Sequence, residues 1–100
     1  MLVTNSRQTN ERATGEITIV NQLGLHARPA AEFVRHANAF RCEIWLITPS
    51  GRFSALSLLE VMRANLDCGS VATLEACGPD AEAAIARLVD VVREMKDYND

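Results

Sequence analysis

From Asp80 to Met95 the chain carries one continuous apolar stripe. Ala81, Ala84, Ile85, Leu88, Val92 and Met95 recur at helical spacing, and Asp80 stands where a helix cap would be. Such a helix is stable in water only when another element covers its apolar face. Four short segments rich in β-branched residues can supply that cover: "EITIV" (16–20), "RCEIWLIT" (41–48), "RFSA" (52–55) and "SVATLEAC" (70–77). "RPAAEFVRHANAF" places Ala30, Phe33, Val34 and Ala37 at helical spacing. "SLLEVMRAN" predicts a short helix with Ser57 as N-cap, Glu60 closing a capping box, and Asn65 ending it in a left-handed conformation. The order β-α-β-β-α-β-α predicts an α+β domain, a largely antiparallel sheet with helices on one face. Pattern alone fits several two-layer sandwiches, small-ligand sensors among them.

One hundred residues make a single domain. Residues 1–14 are polar and aperiodic and are expected to form a flexible leader. The domain is expected over 15–96, with a short tail over 97–100. A net charge of -3 argues against nucleic acid or an anionic membrane as the main partner. No run approaches the ~20 apolar residues that span a bilayer, and no signal-peptide pattern opens the chain. Cys42, Cys68 and Cys77 are odd in number and form no C-x-x-C pair. They are read as reduced, mostly packed thiols of a cytoplasmic protein, with neither disulfide nor zinc site expected. No metal or cofactor is expected.

The stretch "NQLGLHARPAA" (21–31) sets His26 between a glycine turn and a proline-led apolar run. A helix mouth offers backbone N–H groups without internal partners and a partial positive charge, which favours phosphate. Gly24 permits a sharp turn before it. Arg28 adds a guanidinium that grips phosphate oxygens in bidentate fashion. A neutral imidazole is a nucleophile. The candidate phosphate-binding amides are those of Ala27 and Arg28, with Ala30 weaker, because Pro29 has no N–H. Proline disfavours helical geometry at Arg28, so local rules start the helix at Pro29, make Arg28 a poor N-cap and leave His26 just outside. Glu32 early and Arg35 and His36 late suit the helix dipole. On these rules alone, a solvated surface histidine explains the position more often than a phosphoryl acceptor does.

"NQLGLHARPAAEFVRHANAF" resembles the active-site segment of the HPr family, the histidine-containing phosphocarriers of the bacterial phosphoenolpyruvate-dependent phosphotransferase system. "SGRFSALSLLEVM" resembles the family's hairpin, regulatory-site region and second helix. "CGSVATLEACGPDAEAAIARL" resembles its last strand and helix. The likeness runs without a gap from about Glu16 to about Val92. It implies an open-faced β-sandwich, four antiparallel strands under three helices. It further implies that enzyme I passes a phosphoryl group, originating from phosphoenolpyruvate, to Nδ1 of His26. Phospho-His26 then donates to an enzyme IIA-type protein, with Arg28 and the amides of Ala27 and Arg28 steadying the group. The protein would be a relay rather than an enzyme, a cytoplasmic monomer without membrane insertion.

Ser57 matches the family's regulatory serine, which implies HPr kinase/phosphorylase as a further partner. A Ser57-phosphorylated regulatory module is therefore the alternative function. Leu56 stands where the family often has a basic residue. Ala64 and Asn65 stand where it often has Leu-Gly, a departure similar to the nitrogen-related branch. Leu58, Leu59 and Met62 would form a partner surface if they face outward, and core if they do not. His36 is expected to be solvated. Trp45 is read as a sheet-surface aromatic or a partner contact.

Overall fold

The structure is a computed structural model and describes residues 11–97. The elements run β1 (Arg12–Thr18), α1 (Ala27–Ala37), β2 (Glu43–Thr48), β3 (Gly51–Ser54), α2 (Leu58–Arg63), β4 (Val71–Cys77) and α3 (Ala81–Arg93). The strands form one four-stranded sheet in the order β1-β4-β2-β3, with every neighbouring pair antiparallel. The predicted element order and the open-faced sandwich are both found.

Period-two alternation decides which face is covered. Ile17 on β1, Ile44 and Leu46 on β2, and Ala72, Leu74 and Ala76 on β4 point into the core. They meet Ala30, Phe33 and Ala37 of α1, Val61 of α2, and the full α3 stripe through Met95. α3 lies so close to β1 that a Cβ built at Gly15 would come within 2.6 Å of Ile85 Cγ2. The other face of the sheet is mixed, with charged and polar side chains beside Trp45, Ile47 and the exposed Val71. There Trp45 is half-buried, the Arg52 guanidinium sits 4.9 Å from its ring centroid, and Arg52 also bonds Glu75 at 3.0 Å. Trp45 is thus a sheet-surface aromatic covered by Arg52, its diagonal neighbour across the β2–β3 pair.

Several local expectations are corrected. β1 begins at Arg12 rather than Glu16, so residues 12–14, expected in the leader, pair with Cys77, Ala76 and Glu75. An unpaired β4 edge of that length would leave backbone groups without partners, and Ala13 packs against the core. The rest of the expected leader, residues 1–10, lies outside the described residues, as do 98–100 of the expected tail. Asp80 occupies the N-cap of α3 but makes no side-chain cap bond. Its Oδ2 accepts instead from the Arg41 amide at 2.9 Å, tying the start of α3 to the approach to β2. Cys68 is exposed, and Cys42 and Cys77 are partly covered, so the thiols are less packed than expected. Burial, before the nearby Asp80 and Cys77, pushes the Cys42 thiol up. His36 is not fully solvated. Its side chain is 22% exposed, and burial, then Arg35 and Arg87, hold its pKa below the ordinary 6.5.

Candidate functional site

The site begins with a loop fixed at several points. The Gly24 amide bonds the Asn21 carbonyl at 3.2 Å, and the Leu25 amide bonds the Leu66 carbonyl at 2.9 Å. Leu25 is buried, so the loop is pinned to the segment that follows α2. Gly24 has φ +74, and a Cβ there would lie 2.6 Å from the Leu66 carbonyl oxygen. Left-handed backbone costs a non-glycine residue about 1–2 kcal/mol before any clash. Gly24→Ala is therefore expected to lower the melting temperature and to speed hydrogen exchange at the Leu25 amide.

This anchoring directs the chain into α1 earlier than local rules predict. The helix starts at Ala27, and His26 is its N-cap, in extended conformation (φ -80, ψ -172). The Ala30 amide closes the first turn on the His26 carbonyl at 2.9 Å, so Ala30 is spent and is no candidate for phosphate. Arg28 is helical despite the proline after it, because the tertiary ties at Leu25 override the local preference. Pro29 is buried in the first turn, where its missing N–H costs nothing. Ala27 and Arg28 occupy the exposed positions of that turn. With the helix starting this early, Glu32 is no longer in the first turn. It bonds Arg35 at 2.7 Å, which holds the Glu32 carboxyl below its usual range.

The imidazole of His26 makes no cap hydrogen bond. Its side chain is 34% exposed, yet Nε2 is buried and without a hydrogen-bond partner among the described residues. Among the described residues the nearest carboxylate is Asp97, with Oδ1 4.0 Å from Nε2. Asp97, placed in the tail by sequence, is a clasp. Its Oδ1 accepts from the Leu23 amide at 3.0 Å and the Asn21 side chain at 3.1 Å, and its Oδ2 accepts from the Gln22 amide at 3.0 Å. The Leu23 amide bond, first among these, holds the Asp97 carboxyl below the ordinary 3.8. The clasp is therefore complete above that value and lost as pH falls through the depressed one. Buried Asn21 completes the arrangement by donating to the Gly24 carbonyl at 2.6 Å. Neither Asn21 nor Asp97 carries a local sequence signal for this role.

The second predicted region lies on α2. The Ser57 hydroxyl accepts from the Glu60 amide at 3.3 Å, as an N-cap does, while the Ser57 amide bonds the Ser54 carbonyl rather than the Glu60 side chain, so only half of the capping box forms. Asn65 has φ +54, the expected left-handed stop. Val61 is the core residue of α2. Leu58, Leu59 and Met62 all face outward, and Leu59 is 70% exposed. Leu23, on the His26 loop, is exposed as well, and sequence reasoning missed it. Two shallow recesses of about 180 and 150 Å³ lie away from His26, one between β1 and α3 and one between α1 and α3.

Fold and site together define a class: small open-faced sandwiches that display one histidine at the mouth of the first helix. Residues 13–94 match the family model described as "PTS HPr component phosphorylation site". Phosphocarrier protein HPr of Vibrio cholerae is 36% identical over 80 residues, covering 80% of this chain and 94% of that protein. Among solved structures, HPr from Bacillus anthracis superposes with a TM-score of 0.78 at 32% identity, covering 83% of this chain and 99% of that one. HPr-C-His from Thermoanaerobacter tengcongensis gives 0.78 at 40% identity, covering 81% and 91%. The chain belongs to the HPr family of phosphocarrier proteins.

Proposed function

We propose that this protein accepts a phosphoryl group from enzyme I on Nδ1 of His26 and passes it to an enzyme IIA-type protein. The observation that carries the reading is an N-cap imidazole uncommitted to capping, its Nε2 covered, in a chain of the phosphocarrier family. In the forward step the Nδ1 lone pair forms the N–P bond as the donor's bond to phosphorus breaks and its electron pair stays with the donor. The protein is itself the acceptor in the first transfer and the donor in the second, so its role is that of a relay substrate of its partners rather than of an enzyme. Such a step depends on alignment and charge neutralisation. The loop ties supply the first. Arg28 and the amides of Ala27 and Arg28, at the positive end of α1, are assigned the second.

The docking surface proposed for both partners is Leu58, Leu59 and Met62 on α2, extended by Leu23 beside His26. No helix among the described residues is long and apolar enough to cross a membrane. The alternative, a regulatory module modified on Ser57 by HPr kinase/phosphorylase, has less behind it. The cap bond to Glu60 accounts for the serine, and Glu60 already places a negative charge in that first turn.

The test mixes the protein with phosphoenolpyruvate and enzyme I and looks for phosphate that is acid-labile and base-stable. Serine phosphate, or none, would count against the reading. Arg28→Ala is expected to slow transfer by about ten- to a hundredfold, as loss of a charge-assisted contact of ~1.5–3 kcal/mol would. Unfolding curves of the variant should match the parent, since Arg28 is exposed.

A further inference from the structure

Asp97 lies beyond the residues matched by the family model, yet among the described residues its carboxylate is the one that comes within 4.0 Å of the His26 ring. We infer that Asp97 is a positioning residue for His26: it favours the ring tautomer with the proton on Nε2 and so leaves the nucleophilic lone pair on Nδ1. This rests on the carrier reading for its purpose, but not for its measurement.

The argument is electrostatic. Nε2 is buried and has no hydrogen-bond partner among the described residues. If its lone pair pointed at Asp97 Oδ1, 4.0 Å away, two electron-rich atoms would oppose each other at a nitrogen that solvent hardly reaches. With a proton on Nε2, the N–H dipole faces a negative charge instead. The separation is too long for a hydrogen bond, so the effect acts through the field. Asp97 cannot drift away easily, because Asn21, Gln22 and Leu23 hold both its oxygens. The same geometry favours the phosphorylated state. When Nδ1 gives its lone pair to phosphorus and Nε2 keeps its proton, the ring becomes cationic, and the fixed carboxylate lies beside that new charge. The terminal segment after α3 thus reaches back across the fold to the nucleophile at the start of α1.

The experiment is nitrogen-detected NMR of the His26 ring in the unphosphorylated protein, about two pH units above the ordinary imidazole value of ~6.5. The parent should show mainly the Nε2–H tautomer. Asp97→Asn removes the charge and keeps an acceptor for the Leu23 amide. It should shift the tautomer ratio toward Nδ1–H by about two- to tenfold, the range a partly exposed charge at this separation supports. Asp97→Glu keeps the charge and should restore part of the ratio. A clasp that only braced the loop would move the Gln22 and Leu23 amide signals and leave the tautomer ratio alone, and that outcome overturns the inference. Phosphoryl uptake is measured separately. If the parent takes up no phosphate, the carrier reading fails, while the tautomer ratios still decide the role of Asp97.

Discussion

His26→Ala is expected to bring phosphoryl uptake to background while leaving the melting temperature within about 4 °C of the parent. The two halves of this result have separate causes. Uptake is lost because the acceptor nitrogen is gone. His36 does not replace it: its side chain is only 22% exposed, and its Nε2 lies 3.9 Å from Glu32 on the body of α1, away from the helix mouth. Stability is nearly kept because the imidazole contributes little to it. His26 makes no cap hydrogen bond, and its buried Nε2 finds no hydrogen-bond partner among the described residues. Substitutions of this kind cost roughly ±0.5 kcal/mol, or ~2–4 °C in a domain of this size. Labelling with phosphoenolpyruvate and enzyme I, beside a calorimetric melt, checks both halves. Labelling that survived in the variant would move the acceptor elsewhere, and a collapsed melt would make His26 a structural residue.

What could be read from the sequence divides along physical lines. Local patterns were legible. The α3 stripe, the alternation of β2 and β4, the Ser57 cap and the left-handed Asn65 each depend on residues within a few positions of one another. His26, Arg28 and Pro29 were legible as a group because a helix mouth concentrates its chemistry in one short stretch. What failed was set by partners distant in sequence. β1 starts at Arg12 because β4 offers a pairing edge, and nothing in "ERAT" announces that. α1 starts at Ala27 because Leu25 is tied to Leu66, so the rule against helical geometry before proline lost to a tertiary contact. Asp80 was read as a cap for its own helix and instead holds Arg41. Asp97 is the clearest case. It carries no motif and follows the last helical stripe, and its role exists only because the fold returns the chain to the His26 loop. The nucleophile was therefore visible in the sequence, and the carboxylate beside it was not.

Phe33→Ala should produce the largest stability loss of any single substitution considered, about 3–5 kcal/mol. Phe33 is fully buried and is the largest such side chain in the core. It belongs to the one buried cluster shared by the sheet and the helices, so its removal leaves a cavity in a close-packed interior that cannot fully close on it. Against a typical total of ~5–15 kcal/mol, a loss of this size lowers the melting temperature by more than about 12 °C. The functional consequence follows from position. Phe33 anchors the helix whose N-cap is His26, so uptake should fall steeply with temperature in this variant and stay close to the parent's in the cold, where the folded state still dominates. Phe33→Leu keeps most of the volume and should lose much less. Leu59→Ala gives the opposite pattern: at 70% exposure it should change stability by under ~0.5 kcal/mol while weakening transfer at all temperatures, if α2 docks the partners. Denaturant titrations of the three variants, read against phosphoryl uptake at two temperatures, separate a helix that must be held in place from a surface that must be recognised. Equal losses for Phe33→Ala and Leu59→Ala would contradict the placement of one in the core and the other on the docking face.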